Sequence, residues 1–325
     1  MNAPVAAPRT LLYIKLSALG DQIFSLPAID DALKRYPDLA IDWVVDERFA
    51  DIPRLHGRVR QVFALPLKRW RKQGWWASRR EIAAFWRGLR AERYDVLLDA
   101  QGMWKSAAVG WFARAHTKIG YSAAYCGEPP VARFYDRKLD MPGVHGSLRL
   151  RETFAQAIGS DASTAPDYGL IPPARLAFTG TAPYAVLLHG ASKDDKLWPE
   201  ERWVQVGQAL AARGLLSLLP WGNDAERARA ERLVKQIGAG HAGVAPRMSI
   251  PECAALMAHA SAVVGLDTGL VHLAAAYARP TVALFTVTRT DFFYPVDAHH
   301  GIALGGPGAD ISVEAVLNAV DAVRQ

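Results

Sequence analysis

The sequence predicts an α/β protein built from two doubly wound parallel-sheet domains facing each other across a cleft, and three observations carry that prediction. Short aliphatic runs alternate with helical stretches, the alternation stops at a segment rich in Pro, Gly, Ser, Thr and Asp near 160–174, and it then restarts in the same pattern. The third observation is size: 325 residues, 50% of them hydrophobic, suffice for about two cores of ordinary domain size. The expected division is an N-terminal domain over 1–165, a C-terminal domain over 175–310 and a closing helix over 311–325, ISVEAVLNAVDAVRQ.

In the first series, LLYIKL at 11, IDWVV at 41, VFAL at 62 and DVLLDA at 95 read as strands of the buried parallel kind, aliphatic on both faces. Helices are expected between them at 21–36 and 77–93, the latter with Ile82, Phe85, Trp86 and Leu89 at helical spacing. Pro27 either kinks the first of these helices or begins a second one. In the second series YAVLLHG at 184 leads to a helix from Pro199, and LLSLLPWG at 215 to a helix from about 225. SAVVGLD at 261 leads to TGLVHLAAAYA, and PTVALFTV at 280 follows.

No apolar run approaches the roughly 20 residues that span a bilayer, and MNAPVAAPRT lacks the apolar stretch of a signal peptide, so a cytoplasmic location is expected. Cys126 and Cys253 are far apart and without metal-ligand spacing; they read as buried thiols, and neither a metal nor a cofactor is expected.

Charge is distributed unevenly. Between Arg54 and Arg93 stand twelve Lys or Arg against Glu81 and Glu92, a local excess of +10 where the whole chain carries +6, which leaves −4 for everything else. Trp70, Trp75, Trp76 and Trp86 interleave with this block. One-signed charge beside tryptophan points to an anionic partner, whether a phospholipid surface, a phosphorylated substrate or nucleic acid; a solvated basic helix face is the plainer alternative.

Open α/β sheets bind ligands outside the carboxyl ends of their strands. Four strand-to-helix junctions there carry polar groups that strand and helix do not need: SALGDQ (17–22), HGASKDDK (189–196), WGNDAE (221–226) and DTGLVHL (267–273). In the last, free N–H groups of Gly269 and Leu270 at a helix start suit a phosphate, although Asp267 and Thr268 also fit simple helix capping. Lys196 can neutralise charge that accumulates on a departing diphosphate, with Ser192 as a hydroxyl donor. Pro199, Glu200 and Glu201 read as helix-start residues. SALGDQ lacks the GxGxxG spacing of a dinucleotide fingerprint, which disfavours a dehydrogenase, and offers instead one carboxylate, Asp21, either a proton acceptor or a cap.

Taken in order, KLSALGDQIFSLPA, IDWVVDERFADIP, KRWRK, YDVLLDAQGMWKSA, HGASKDDKLWPEERW, LPWGNDAERARA and DTGLVHLAAA resemble the heptosyltransferases of glycosyltransferase family 9 over nearly the whole chain. The KRWRK and DAQG-x-x-KSA blocks look more like the type that adds the first core heptose than like a heptosyltransferase II-type enzyme, which extends an already heptosylated core. The resemblance implies a GT-B fold of two Rossmann-like domains. It also implies inverting transfer of L-glycero-D-manno-heptose from ADP-heptose to the Kdo of Kdo2-lipid A, on the cytoplasmic face of the inner membrane. By position it makes Asp21 the general base and Lys196 a contact of the donor phosphate and heptose. It places Ser192, Thr268, Gly269 and Leu270 at the diphosphate, Asp267 at the heptose, His272 near the phosphates, Glu226 at the ribose and Met248 against the adenine. Two departures stand out. Ala191 and Ser192 replace a pair of threonines, and TVTRTDFFYP replaces a GPTDP-like turn, so no donor contact is assigned to 286–295.

The acceptor suits the basic block, with Lys68, Arg69, Arg71 and Lys72 as its first candidates and Arg137, Lys138, Arg149 and Arg151 as an extension of the patch. A nucleic-acid-binding protein is the alternative of another class, but no RRM, KH or helix-turn-helix signature is present, and no nucleic-acid partner is expected.

Overall fold

The computed structural model describes residues 7–141, 146–191, 193–290 and 300–325. The chain divides between Gly169 and Leu170 into two compact units, the break falling inside the Pro- and Gly-containing stretch.

The N-terminal unit runs β1 (Thr10–Ile14), α1 (Leu19–Arg35), β2 (Ala40–Asp46), α2 (Asp51–Leu55), β3 (Gln61–Leu65), α3 (Leu67–Gln73), α4 (Arg79–Leu89), β4 (Tyr94–Asp99), α5 (Trp104–Phe112), β5 (Ala115–Tyr121), β6 (Arg137–Leu139) and α6 (Gly146–Ile158). Its strands are parallel in the order β3-β2-β1-β4-β5-β6. The C-terminal unit runs β7 (Tyr184–Leu188), α7 (Glu200–Ala212), β8 (Leu216–Leu219), α8 (Asp224–Ile237), β9 (Ala242–Val244), α9 (Ile250–Ala258), β10 (Ala262–Leu266), α10 (Gly269–Ala276), β11 (Thr281–Phe285), β12 (Gly301–Gly305) and α11 (Val313–Val323). Its order, β12-β11-β10-β7-β8-β9, is the same winding read from the other edge.

Both sheets therefore have a switch point where the strand order reverses, between β1 and β4 in one unit and between β7 and β10 in the other. Crossovers leave the two neighbouring strands in opposite directions there, which opens a crevice at their carboxyl ends. The central strands β7, β10 and β11 are buried at every position, as parallel strands covered on both faces must be.

Several expectations change in detail. Pro27 lies buried inside α1, which stays a single helix from Leu19 to Arg35. Pro199 is the N-cap of α7 rather than its first helical residue. Cys253 is buried, but Cys126 is only partly so. Helix α11 packs through Val316, Ala319, Val320 and Val323 into the core of the C-terminal unit.

The clearest correction concerns Arg151, expected in a basic surface patch. Its guanidinium and the Asp31 carboxylate pair at 2.6 and 3.0 Å, each side chain 1% exposed, and so join α6 to α1. A planar bidentate fork satisfies a carboxylate without water, which is why this pair tolerates burial where a lysine pair would not. Because removing one partner leaves an uncompensated buried charge, Arg151→Met is expected to lower the unfolding free energy by about 3–5 kcal/mol in urea titration. Lys138→Ala, at an exposed position, is expected to change it by less than about 0.5 kcal/mol.

Candidate active site

The switch point of the C-terminal unit gathers three polar side chains around one carboxylate. Lys196 follows β7 in a short 3-10 turn, Asp194–Lys196, and its Nζ lies 2.8 Å from Asp267 Oδ2, directly after β10. Thr288 Oγ1 donates to the same oxygen at 2.7 Å, and His272 Nε2 stands 3.6 Å from Oδ1. The Thr286 hydroxyl donates to the Lys196 carbonyl at 2.9 Å and ties the turn after β11 to the turn after β7. Burial alone would raise the Asp267 pKa, but the contacts from His272, Lys196 and Thr288 outweigh it and hold the carboxyl well below the usual range. Asp267 is thus held as its carboxylate across the ordinary pH range.

Thr268 occupies the N-cap of α10 in extended conformation, and its hydroxyl makes no cap bond to the helix. Asp267 spends its oxygens on Lys196, Thr288 and His272 rather than on helix amides. The plain capping reading of these two residues therefore does not describe them. The first N–H groups of α10, at Gly269 and Leu270, have no intrahelical acceptor by position, which leaves donors and a positive dipole end beside the Lys196 ammonium.

A second group lies between the turns after β7 and β8. Glu226 Oε2 accepts the Gly222 N–H at 2.7 Å, and Asn223 caps α8 by accepting the Glu226 N–H at 3.0 Å. A Cβ at Gly190 would meet the Glu226 carboxyl carbon at 2.8 Å, so glycine in HGAS is what admits this carboxylate. Met248 is half-buried in the segment joining β9 to α9. A nearby cavity of about 450 Å³ is lined by Trp221, Arg227, Glu231 and the run from Val244 to Arg247, with the Arg227 guanidinium 5.4 Å from the Trp221 ring centroid. Ser192 lies outside the described residues, as does the second half, 291–295, of the 286–295 turn.

The histidine and the first glutamate of HGASKDDKLWPEERW are structural. His189 is fully buried, and Glu200 pairs with Arg232 at 2.6 Å and Arg229 at 3.7 Å at the start of α7.

In the N-terminal unit the same topological position holds a second lysine–aspartate pair. Lys15 leaves the end of β1 nearly buried, donates to the Ala100 carbonyl at 3.3 Å and lies 3.2 Å from Asp21 Oδ2. Asp21 is the third residue of α1 and accepts the Ala18 N–H at 3.1 Å, yet its side chain remains 44% exposed. The turn beneath it is fixed from β4: Gln101 Oε1 accepts the N–H groups of Leu16 and Ser17 at 3.0 and 3.1 Å. The chain at Gln101 is itself held by buried Asp99, which accepts the Gln101 and Gly102 N–H groups and the Tyr135 hydroxyl. Tyr135 reaches it by lying against Gly120, where a Cβ would come within 2.5 Å of the ring. The segment DAQG thus acts as a brace for the Asp21 turn.

Of the basic residues, Lys68, Arg71 and Lys72 are exposed on α3. Arg69 is instead committed to Glu81 at 2.6 Å and Glu47 at 3.0 Å. Lys138 is exposed, Arg137 donates to the carbonyls of Ala157 and Gln156, and Arg149 stacks 4.9 Å from the Tyr121 ring centroid. Among the described residues no cluster of three His, Cys, Asp or Glu has a geometry that could hold a metal.

The sequence pattern of glycosyltransferase family 9 (heptosyltransferase) matches residues 82–314, which includes both turns of the Lys196–Asp267 pair. The chain belongs to this family. Among its relatives, lipopolysaccharide heptosyltransferase 1 of Pseudomonas aeruginosa is 40% identical over 285 residues, 87% of this chain and 80% of that protein. Among solved structures, Escherichia coli heptosyltransferase WaaC with ADP aligns with a TM-score of 0.87 at 35% identity, covering 97% of this chain and 99% of that one. WaaC with ADP-2-deoxy-2-fluoro heptose aligns at 0.83, covering 96% and 99%. The two units are Rossmann-like halves of GT-B type, the protein is a glycosyltransferase, and the nucleic-acid reading of the basic block is not favoured.

Thr288, Thr286 and Lys15 were not singled out from sequence. A threonine in a turn carries no periodic signal, and Lys15 reads as the penultimate residue of the aliphatic strand LLYIKL. Burial holds the His189 imidazole down at about 4. An unfolded histidine binds its proton near pH 6.5, so between about 6.5 and 4 unfolding takes up a proton and stability falls as the pH drops, by about 1.4 kcal/mol per unit. Denaturant titrations across that window are expected to show wild type losing about 2–3 kcal/mol more than His189→Gln.

Proposed function

We propose that this glycosyltransferase moves L-glycero-D-manno-heptose from its ADP-activated form to the Kdo of Kdo2-lipid A, inverting the anomeric centre. The observation that carries the reading is the Lys196–Asp267 pair beside the amide end of α10, in a chain whose relatives bear the name lipopolysaccharide heptosyltransferase 1.

The reaction needs a base for the acceptor hydroxyl and positive charge for the leaving nucleotide. Asp21 is the base in this proposal: exposed enough to meet a hydroxyl, oriented by Ala18 N–H and Lys15, and the only acid in its junction. As the acceptor oxygen bonds to the anomeric carbon, the bond to the ADP oxygen breaks and charge accumulates on the diphosphate. Lys196 and the Gly269 and Leu270 N–H groups meet that charge where it develops. Thr268 and Ser192 supply hydroxyl contacts to the diphosphate, and His272 stands near it. Asp267 both orients Lys196 and accepts from a heptose hydroxyl. Glu226 takes the ribose hydroxyls and Met248 lies against the adenine.

For the acceptor, Lys68, Arg71 and Lys72, which form no ion pair among the described residues, present their charge to carboxylates and phosphates, whereas Arg69 supports α3 through Glu47 and Glu81. Lys138, Arg137 and Arg149 extend the same recognition. The lipid-borne acceptor places the enzyme at the cytoplasmic face of the inner membrane as a peripheral protein, and no described helix is long and apolar enough to cross a membrane.

Incubation with ADP-heptose and Kdo2-lipid A is expected to give a product heavier by one heptose, read by mass spectrometry; release of ADP without that product would sink the acceptor assignment. Asp21→Ala is expected to reduce turnover by at least about 10²–10⁴-fold, the range for a lost general base, while ADP affinity changes less than about two-fold. Substantial residual transfer by this variant would remove Asp21 from the mechanism.

A further inference from the structure

Helix α5 is built inside out. Its buried residues are the small Ser106, Ala107, Val109 and Gly110, while Trp104, Trp111 and Phe112 are 46%, 60% and 51% exposed. Positions 104, 108, 111 and 112 share one helical face, so the stripe that ordinarily seeks a core is presented outwards. The aromatic surface continues sideways, since Phe134 packs edge-on against Trp104 at 5.7 Å and Trp111 at 5.3 Å, and Phe112 lies tilted against Trp86 at 5.2 Å. A contiguous exposed aromatic surface of this kind marks a place where something apolar docks.

The fringe indicates what docks there. The Arg133 guanidinium lies 5.9 Å from the Trp104 ring centroid and 6.0 Å from that of Phe134, and the Lys118 ammonium 5.8 Å from that of Trp111. Lys105 and Arg114 are exposed on the helix and just beyond its end. The nearby acids are engaged with backbone, Glu128 with the Trp104 N–H and Asp136 with the Lys118 N–H. Indoles ringed by cations match the headgroup level of an anionic bilayer. A second copy of the chain would bring the same excess of positive charge to this face, which disfavours self-association.

We propose that α5 and the adjoining 129–134 turn form the surface by which this protein docks on an anionic phospholipid bilayer. The proposal deepens the functional reading and rests on it only for the lipid-borne acceptor; the exposed aromatic face stands without it. Of the four tryptophans that interleave with the basic block, Trp70 is 2% exposed and Trp86 packs between Phe85 and Phe112, whereas Trp75 and Trp76 are 53% and 83% exposed.

The test uses the full chain without substrates and flotation on vesicles of phosphatidylcholine alone or mixed about two to one with phosphatidylglycerol. Expected are binding to the anionic vesicles, weak binding to neutral ones, and quenching of the indole fluorescence by bromine-labelled lipid. The double variant W111S/F112S is expected to lower the partition coefficient at least about ten-fold, with its thermal midpoint and its turnover of a deacylated, water-soluble acceptor unchanged. Should that variant fold poorly, Trp104→Ser with the quenching readout serves instead, with reduced quenching expected. Undiminished vesicle binding in the folded variants, or no quenching in the wild type, overturns the proposal. So does a wild-type dimer in ultracentrifugation that W111S/F112S dissociates while vesicles bind neither form. Vesicle binding with no heptosyl transfer supports this surface and sinks the enzymatic reading.

Discussion

The ion pair between Lys196 and Asp267 is the interaction on which the C-terminal half depends. It exists because β7 and β10 are neighbours in the sheet but not in the chain, so the turns that follow them diverge and leave polar side chains to meet in the crevice. An unpartnered carboxylate so deep in that crevice would be costly, and an unpartnered ammonium equally so. Together, with Thr288 on the same oxygen, they form a fixed arrangement that holds positive charge beside the first amides of α10. Winding of the same kind in the N-terminal half produces Lys15 and Asp21 at the corresponding place, with one difference that matters for chemistry. Asp267 is 19% exposed and surrounded by donors, while Asp21 is 44% exposed and held from one side. The first is an orienting anion; the second retains the access a proton acceptor needs.

How much of this was legible in the sequence depends on what each element must do. The central strands β1, β2, β4, β7, β8, β10 and β11 are aliphatic runs because both their faces are covered, and such runs announce themselves. Others do not: β5 reads AHTKIGY, mixing polar and apolar residues, and β6 and β9 are three residues long. Helix α5 escaped because its apolar stripe is large on the outside and small on the inside, the reverse of the pattern that periodicity seeks. Asp21, Lys196 and Asp267 stood out because each sits at a strand-to-helix junction where neither element requires it, and Glu226, in the WGNDAE junction, by resemblance. Thr288 was missed because the turn that carries it departs from the expected motif, although a hydroxyl two residues after Thr286 was visible there.

The basic block also divides in a way composition cannot show. Arginines such as Arg60, Arg69 and Arg151 spend their forks on Asp42, Glu47, Glu81 and Asp31, joining elements of the N-terminal half. Among the described residues, exposed charge without an ion pair includes Lys68, Arg71 and Lys72 on α3 and Arg80, Arg87, Arg90 and Arg93. A guanidinium fork committed to a carboxylate is not available to a ligand, so a count of positive residues overstates the binding surface.

The central claim is that Lys196 supplies the cation against which the nucleotide leaves. Its most direct measurement is the single-turnover rate of Lys196→Ala with ADP-heptose bound at saturation. The account predicts a loss of about 2–4 kcal/mol in transition-state stabilisation, roughly 30- to 1000-fold in rate, as for removal of one preorganised donor. A rate unchanged from wild type, with the variant folded and the donor bound, would contradict it.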